Sequence, residues 1–567
     1  MIRRFLRRVN IEADTVLEPS GLNLFDFSPV LIKIPVAASP EPLLTDRAQL
    51  MSRLLQSKTY DVAIIGGGAT GLGVALDAAA RGFSVVLVES HDFAKGTSSR
   101  ATKLLHGGVR YLAQGNVSLV REALHERTTL LGNASHLAQP LPFIMPSYKL
   151  WETPFYGIGL KLYDALAGKA GLGDTEFLSR EQTLRLLPNA QPSHLKGGVK
   201  YWDAQFDDAR LAVALARSAA LRGALLLNYC AATGLKHERG KLVGLNCQDR
   251  ETQASYTINA KCVINATGVW VDEFRQQDGV AMGRTVKPMV APSQGVHLVV
   301  DSEFWPGNHA LMVPKTEDGR VLFAVPWLGK VILGTTDTPR HDLAREPDAF
   351  AEEIDFILRE SARYLKTAPA RSDVKSIWVG LRPLVKPPDD DPAEGVSTKK
   401  LSREHTVLAS KSGLVTVTGG KWTTYRAMAE DVLQHCFDRK LLPAVQSGVT
   451  NTLLLVGAPD STTRATVPIC AASGSHSYGT EADRLAALPG AQRQIVPGLT
   501  EAMVRFAARF EYARTVEDVL ARRNRLLFLD ARLAIAAAAD VAITLRSETG
   551  MDTHKAEFAR LAASYLL

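Results

Sequence analysis

A chain of 567 residues, 46% hydrophobic and 22% charged, is too long for one small domain and has the balance of a soluble globular protein with two or three. Its longest apolar stretch, 533–545, is alanine-rich, interrupted by Asp540 and short of the roughly eighteen residues that cross a bilayer, so any membrane contact is expected to be peripheral. Five scattered cysteines with no C-x-x-C pair leave no expectation of a metal site, a cluster or a redox dithiol, while a net charge of +7 suits anionic lipid or nucleic acid without choosing between them.

Residues 1–9 carry Arg3, Arg4, Arg7 and Arg8 around Ile2, Phe5 and Leu6, as a mitochondrial presequence would, but Glu12 and Asp14 follow early. No apolar segment follows the arginines to make a secretory signal. Residues 1–58 are expected to be an extension without fixed structure, with an organellar address as the alternative.

Residues 60–89 read as a complete βαβ unit. A short β-branched run, 62–65, breaks at Gly66; small residues and Leu at helical spacing follow from Ala69 to Arg81 and end at Gly82; a second buried strand, 84–88, is closed by Glu89. Gly66, Gly68 and Gly71 fill a G-x-G-x-x-G pattern, in which the turn, the approach to a pyrophosphate and the helix–strand packing each need a missing side chain. The helix N-terminus suits a diphosphate. Glu89, about twenty residues on, is placed to accept hydrogen bonds from a ribose diol.

The next segment, H-D-F-A-K-G-T-S-S-R-A-T-K-L-L-H-G-G-V-R-Y-L over 91–112, gathers Thr97, Ser98, Ser99, Lys103, His106 and Gly107. Hydroxyls and glycines clustered this way suit a chain passing close to a diphosphate and a flat ring. With the preceding fingerprint at this spacing, the segment resembles the FAD-dependent, quinone-linked glycerol-3-phosphate dehydrogenases, within the wider group of amine- and hydroxy-acid-oxidising flavoproteins. The resemblance implies an α/β fold: a Rossmann-type FAD-binding domain, an α+β substrate (cap) domain and a C-terminal helical domain.

Further along, 117–131 reads as a helix with Arg121, Glu122 and Glu126 on its wet side, and Pro140, Pro142 and Pro146 are expected to end regular structure. A second helix spans 207–221, and strands are expected over 225–245 and 262–265. Ala266-Thr267-Gly268 resembles the turn that brings a second backbone segment to the FAD in such flavoproteins. Between 285 and 400, short β-branched runs alternate with turns, as in a sheet laid over the flavin, and 387–392 reads as an exposed acidic loop. V-T-V-T-G-G-K-W-T-T-Y-R, 415–426, is a strand meeting a helix N-terminus; in the family this motif completes the flavin and substrate site, with Gly420 and Thr423 toward the cofactor. Where Trp422 stands the family has an aliphatic residue.

The expected division is an extension (1–58), a discontinuous FAD-binding domain (59–125, 225–285, 400–445) interleaved with a substrate domain (126–224, 286–399), a linker (446–480) and a C-terminal helical domain (481–567).

Only one dinucleotide fingerprint is present, so electrons are expected to leave to a quinone, oxygen or a protein carrier rather than to a nicotinamide. The resemblance implies oxidation of sn-glycerol 3-phosphate to dihydroxyacetone phosphate by FAD with quinone as acceptor; an oxidase using oxygen, or an amino-acid or amine oxidase, are the alternatives. A phosphate dianion needs fixed cations, and Arg110, Arg382, Lys421 and Arg403 are the candidates, with Tyr111 closing the pocket. His297 is the first candidate for the base that takes the hydroxyl proton and His106 the second, with Arg382 alongside. The protein is expected peripherally on an inner membrane facing the cytoplasm, or on the mitochondrial inner membrane, with no nucleic-acid partner; a homodimer is left open. Arg3 to Arg8, Arg514, Arg522, Arg523 and Arg525 are the basic residues expected to meet lipid, unless the last four pair with Glu511, Glu517 and Asp518.

Overall fold

The computed structural model describes residues 44–56, 58–109, 112, 116–317, 319–386, 404–460 and 467–567. The expectations for Arg3 to Arg8, Arg110, Tyr111, the 387–392 loop and Arg403 lie outside them.

Two large sheets organise the chain. The first has the order His405–Ala409, Leu414–Gly419, Ser255–Asn265, Thr59–Ile65, Val85–Val88, Leu225–Leu227, with the hairpin Cys230–Glu238 and Lys241–Asp249 added through Ser255–Asn265. Thr59–Ile65 pairs in parallel with both neighbours. Val62, Ala63, Ile64 and Ile65 are all buried, as expected for a parallel strand covered on both faces. Helices Ala69–Ala80, Asp208–Leu221 and Tyr425–Asp438 contribute their apolar sides to the same core.

The second sheet has ten strands, among them Ala138–Ser147, Gly197–Phe206, Val290–Asp301, Leu322–Trp327, Lys330–Gly334 and Ser376–Val385. Alternation separates its faces. Val296, Leu298 and Val300 join a core with Ile354 and Ile357 of helix Ala351–Tyr364. Val299, Trp378, Phe143 and Met145 join the opposite core, with the C-terminal helices Glu501–Phe510 and Ala531–Thr549.

Pro140, Pro142 and Pro146 do not end regular structure: they lie inside the strand Ala138–Ser147, which pairs with Gly197–Phe206 throughout. All three share one parity. Asp207 N–H donates to Leu137 O, which places the hydrogen-bonded pairs at odd positions and turns the missing proline donors away from that partner. Glu126 is likewise not on a wet face. It is buried and bound by the Arg426 guanidinium at 2.9 Å, a partner 300 residues away.

The C-terminal arginines expected at lipid are instead interior clamps. Arg522, Arg523 and Arg525 are buried. Asp92 receives Arg522 and also Arg523, the latter at 2.6 and 2.8 Å, while Arg525 reaches Asp208 at 3.2 Å and Ser99 O at 2.7 Å. Arg522 also pairs with Glu517 at 2.7 Å and Asp518 at 2.8 Å, and Arg514 with Glu251 at 2.7 Å. These charges tie the helices to the segments beside the first fingerprint, and none of the four is left to attract lipid. Residues 453–456 of the expected linker are pinned as well, by Leu455 N–H to Asn133 O and Val456 N–H to the Ser218 hydroxyl, with Leu453 and Leu455 buried.

Candidate functional site

A cavity of about 500 Å³ opens where the two sheets meet, within the range of cofactor sites. Its floor is the turn after Thr59–Ile65. Gly66 has φ +110°, and a Cβ there would stand 2.6 Å from Ala266 O; a Cβ on Gly71 would stand 1.9 Å from Gly66 O. The two backbone turns that the sequence separates by two hundred residues are therefore in direct contact, and only glycine permits it. Gly68 starts the helix Ala69–Ala80, and the Ser98 hydroxyl accepts the Ala69 N–H at 2.9 Å. Glu89 is held by the N–H groups of Gly67 (2.7 Å) and His91 (2.9 Å), which fixes its carboxylate at the wall.

Ala266, Thr267 and Gly268 form the second wall, secured by Ala266 N–H to Ile65 O and by the Thr418 hydroxyl to Gly268 O. Gly420 and Thr423 form the third, with Trp422 Nε1 donating to Ser98 O at 2.8 Å. The Thr97 hydroxyl donates to Leu381 O at 2.6 Å and joins the wall to the second sheet. A glycine floor, a helix N-terminus and a tethered carboxylate around a cavity of this size fit an adenine dinucleotide.

Four candidates lie behind these walls. Gly71 and Ser99 are buried beneath them, Gly107 N–H is taken by the Tyr163 hydroxyl, and Lys103 is fully buried against Asp208 at 2.7 Å. Burial brings the Lys103 pKa down to about 7 against the pull of Asp208. In sequence Lys103 stands among cavity residues; in space the chain turns it inward to meet a carboxylate from helix Asp208–Leu221.

His106, His297, Arg382 and Lys421, from four separate segments, line the same cavity. His297 is 2% exposed, stacked on Trp378 with ring centroids 3.9 Å apart, with Nε2 at 2.9 Å from the Thr102 hydroxyl. Burial, then the charges of Lys103 and Arg382, hold its pKa well below the ordinary value, so the imidazole is neutral at neutral pH. Arg382 is anchored by Nη1 to Gln294 O (3.1 Å) and Asp337 (3.3 Å) and by Nη2 to Thr336 O (3.0 Å). Thr102, Trp378 and Asp337 were not among the expected site residues. Trp378 and Arg382 share one face of Ser376–Val385 by period-two spacing, a signal the sequence did carry.

Against known proteins, the FAD dependent oxidoreductase family matches residues 61–426, and the C-terminal domain of alpha-glycerophosphate oxidase matches 448–556. A mitochondrial glycerol-3-phosphate dehydrogenase of Schizosaccharomyces pombe is 37% identical, over 93% of this chain and 89% of that protein. One from Arabidopsis thaliana is 39% identical, over 88% and 84%. The structure of the glycerol-3-phosphate dehydrogenase from Bacillus halodurans complexed with FAD superposes with a TM-score of 0.72 at 28% identity, over 92% of this chain and 98% of that one.

Proposed function

The chain belongs to the FAD-dependent glycerol-3-phosphate dehydrogenases, and from that membership we propose that it oxidises sn-glycerol 3-phosphate to dihydroxyacetone phosphate and passes the electrons to a quinone. The observation that carries the reading is one cavity whose lining includes two cationic side chains, Arg382 and Lys421, and a neutral buried imidazole, His297. Bound FAD would supply the acceptor for the hydride of the substrate carbinol carbon. Arg382 and Lys421 hold the phosphate dianion, and the backbone acceptors around Arg382 keep its guanidinium plane in place for that contact.

His297 takes the hydroxyl proton at Nε2. The Thr102 hydroxyl, 2.9 Å from Nε2, is a rotor that can accept the N–H once the proton is on the ring. The neighbouring cations that lower the His297 pKa are offset when the phosphate dianion enters, so substrate binding itself raises the basicity of the imidazole.

A quinone is dissolved in lipid, and no described helix is long and apolar enough to cross a membrane. Helix Glu152–Ala167 supports surface seating: Leu150, Trp151, Phe155, Ile158 and Leu162 are 49–80% exposed along one side, with Phe177 beside them and Lys149 and Lys161 at the margin. Such a face, aromatic and aliphatic with a basic rim, suits the boundary between headgroups and acyl chains. The mitochondrial names of the matched eukaryotic proteins are consistent with the mitochondrial inner membrane.

Anaerobic glycerol 3-phosphate should bleach the flavin of the purified holoenzyme, and added quinone should restore the colour. Peroxide formed at the rate of flavin turnover in air, with quinone ignored, would replace the dehydrogenase reading by an oxidase.

A further inference from the structure

Helix Glu152–Ala167 turns two different faces to its surroundings. Outward are Phe155, Ile158 and Leu162; inward are Gly157, Leu160 and Tyr163. The Tyr163 ring is 1% exposed, in a small apolar cluster with Val120 and Leu124, against which Val109 also packs. Its hydroxyl accepts the Gly107 N–H at 2.8 Å and donates to Asp203, both of whose oxygens lie at 3.1 Å. Asp203 is in turn fixed by Arg127 at 2.7 Å. A Cβ on Gly107 would stand 2.4 Å from that hydroxyl, so the backbone lies directly against it. Burial and the Asp203 charge raise the Tyr163 pKa well above its ordinary value, which keeps the hydroxyl a donor to Asp203 at every physiological pH.

Neither Tyr163 nor Asp203 lines the cavity, but His106, the residue before Gly107, does. Supports flank His106 on both sides: the pairing of Leu104–Leu105 with Gln205 and Ala204 on one, and on the other the Tyr163 hydroxyl on Gly107, whose N–H also faces Asp203 at 3.4 Å. The first belongs to the sheet. The second belongs to a helix whose opposite face is apolar and exposed.

We propose that Tyr163 is a positioning residue for the oxidation: through Gly107 it holds His106 at the cavity wall, and because it rides on the helix that seats on lipid, seating is felt in the site. This rests on the surface-seating reading of that helix. The physical link is the rigidity of one helix, since a shift of its outer face carries Tyr163 with it and hydrogen bonds weaken steeply away from good geometry. Lipid that fixes the outer face thereby fixes the hydroxyl.

The test uses the full-length holoenzyme and its Tyr163→Phe variant, assayed with glycerol 3-phosphate and a soluble dye. Each is measured without vesicles, with phosphatidylcholine vesicles, and with phosphatidylcholine–phosphatidylglycerol vesicles, alongside co-sedimentation and bound-FAD absorbance. The wild type should gain kcat/KM on the anionic vesicles. The variant should bind those vesicles and FAD as the wild type does, show kcat/KM lower by about five- to tenfold, on the scale of one buried hydrogen bond, and gain nothing from lipid. Stimulation of the variant equal to that of the wild type would overturn the coupling. Loss of FAD in step with activity would overturn the positioning role in favour of a structural one. Hydrogen exchange of the wild type gives a reading free of variants: amides of 104–109 should slow on anionic vesicles together with those of 152–167, and protection of the helix alone would overturn the link. A wild type that fails to co-sediment would sink the lipid reading and the coupling together, while a vesicle-free deficit in the variant would still support positioning.

Discussion

Arg382 offers the sharpest test of how this site recognises its substrate. Its guanidinium spends both terminal nitrogens on the chain, Nη1 on Gln294 O and Asp337, Nη2 on Thr336 O and the Thr335 hydroxyl, and so arrives at the cavity already oriented. Arg382→Ala should remove one charge-assisted contact to the phosphate, about 2–3 kcal/mol, or roughly 30- to 150-fold in kcat/KM for glycerol 3-phosphate. It should also leave the Asp337 carboxylate without this cation, which repels the incoming dianion. The double variant Arg382→Ala, Asp337→Ala should therefore be less impaired than the single one. Arg382→Lys keeps the charge but loses the chain contacts that orient the guanidinium and should fall between wild type and Arg382→Ala. The assay is dye-linked turnover of glycerol 3-phosphate against glycerol, which lacks the phosphate and should barely respond. An equal loss on both substrates would refute the reasoning and make Arg382 a support of the flavin or the fold.

Three further outcomes are expected. Glu89→Ala should weaken FAD retention by about 1–3 kcal/mol, read by flavin fluorescence on dilution, because it removes a carboxylate already oriented by two backbone N–H groups; unchanged affinity would deny it a ribose contact. Asp92→Ala should destabilise the fold by about 3–5 kcal/mol, because Arg522 and Arg523 stay buried without their shared partner, and an unmoved urea midpoint would contradict that clamp. Burial, then Arg210 and Arg217, hold His136 down to about 3, so below pH 6.5 the unfolded chain binds a proton that the native state refuses. The stability associated with His136 is complete above pH 6.5 and falls with pH through the window down to about 3, reaching a loss of about 2 kcal/mol at pH 5. His136→Gln should flatten that part of the urea-unfolding pH profile, and an unchanged slope would count against it.

Motifs whose backbone geometry is set by their own residues are legible in the sequence alone. Gly66, Gly68 and Gly71 between two apolar runs specify a strand–turn–helix, because steric demands on a tight turn are local, and Glu89 follows from the length of the unit. The same holds for the 266–268 turn and for the strand that ends at Gly419. Which residues among the polar run 97–107 reach the cavity is not legible in that way. Lys103 looks like its neighbours, and only the arrival of Asp208 from a distant helix gives its ammonium an interior partner, against burial and the nearby Arg525 guanidinium. The arginines at 522, 523 and 525 show the same limit: a basic cluster on a helix is solvated or buried according to whether carboxylates come to meet it, and Asp92 lies more than four hundred residues earlier. Pro140, Pro142 and Pro146 mislead because a missing donor ends a strand only when it faces a partner, and the register that turns these three away is set by the pairing with Gly197–Phe206. The two faces of Glu152–Ala167 are decided by tertiary structure too. The helix is apolar on both sides, and only the burial of Tyr163 against Gly107 and Asp203 shows which side belongs to the protein and which is left to the surroundings.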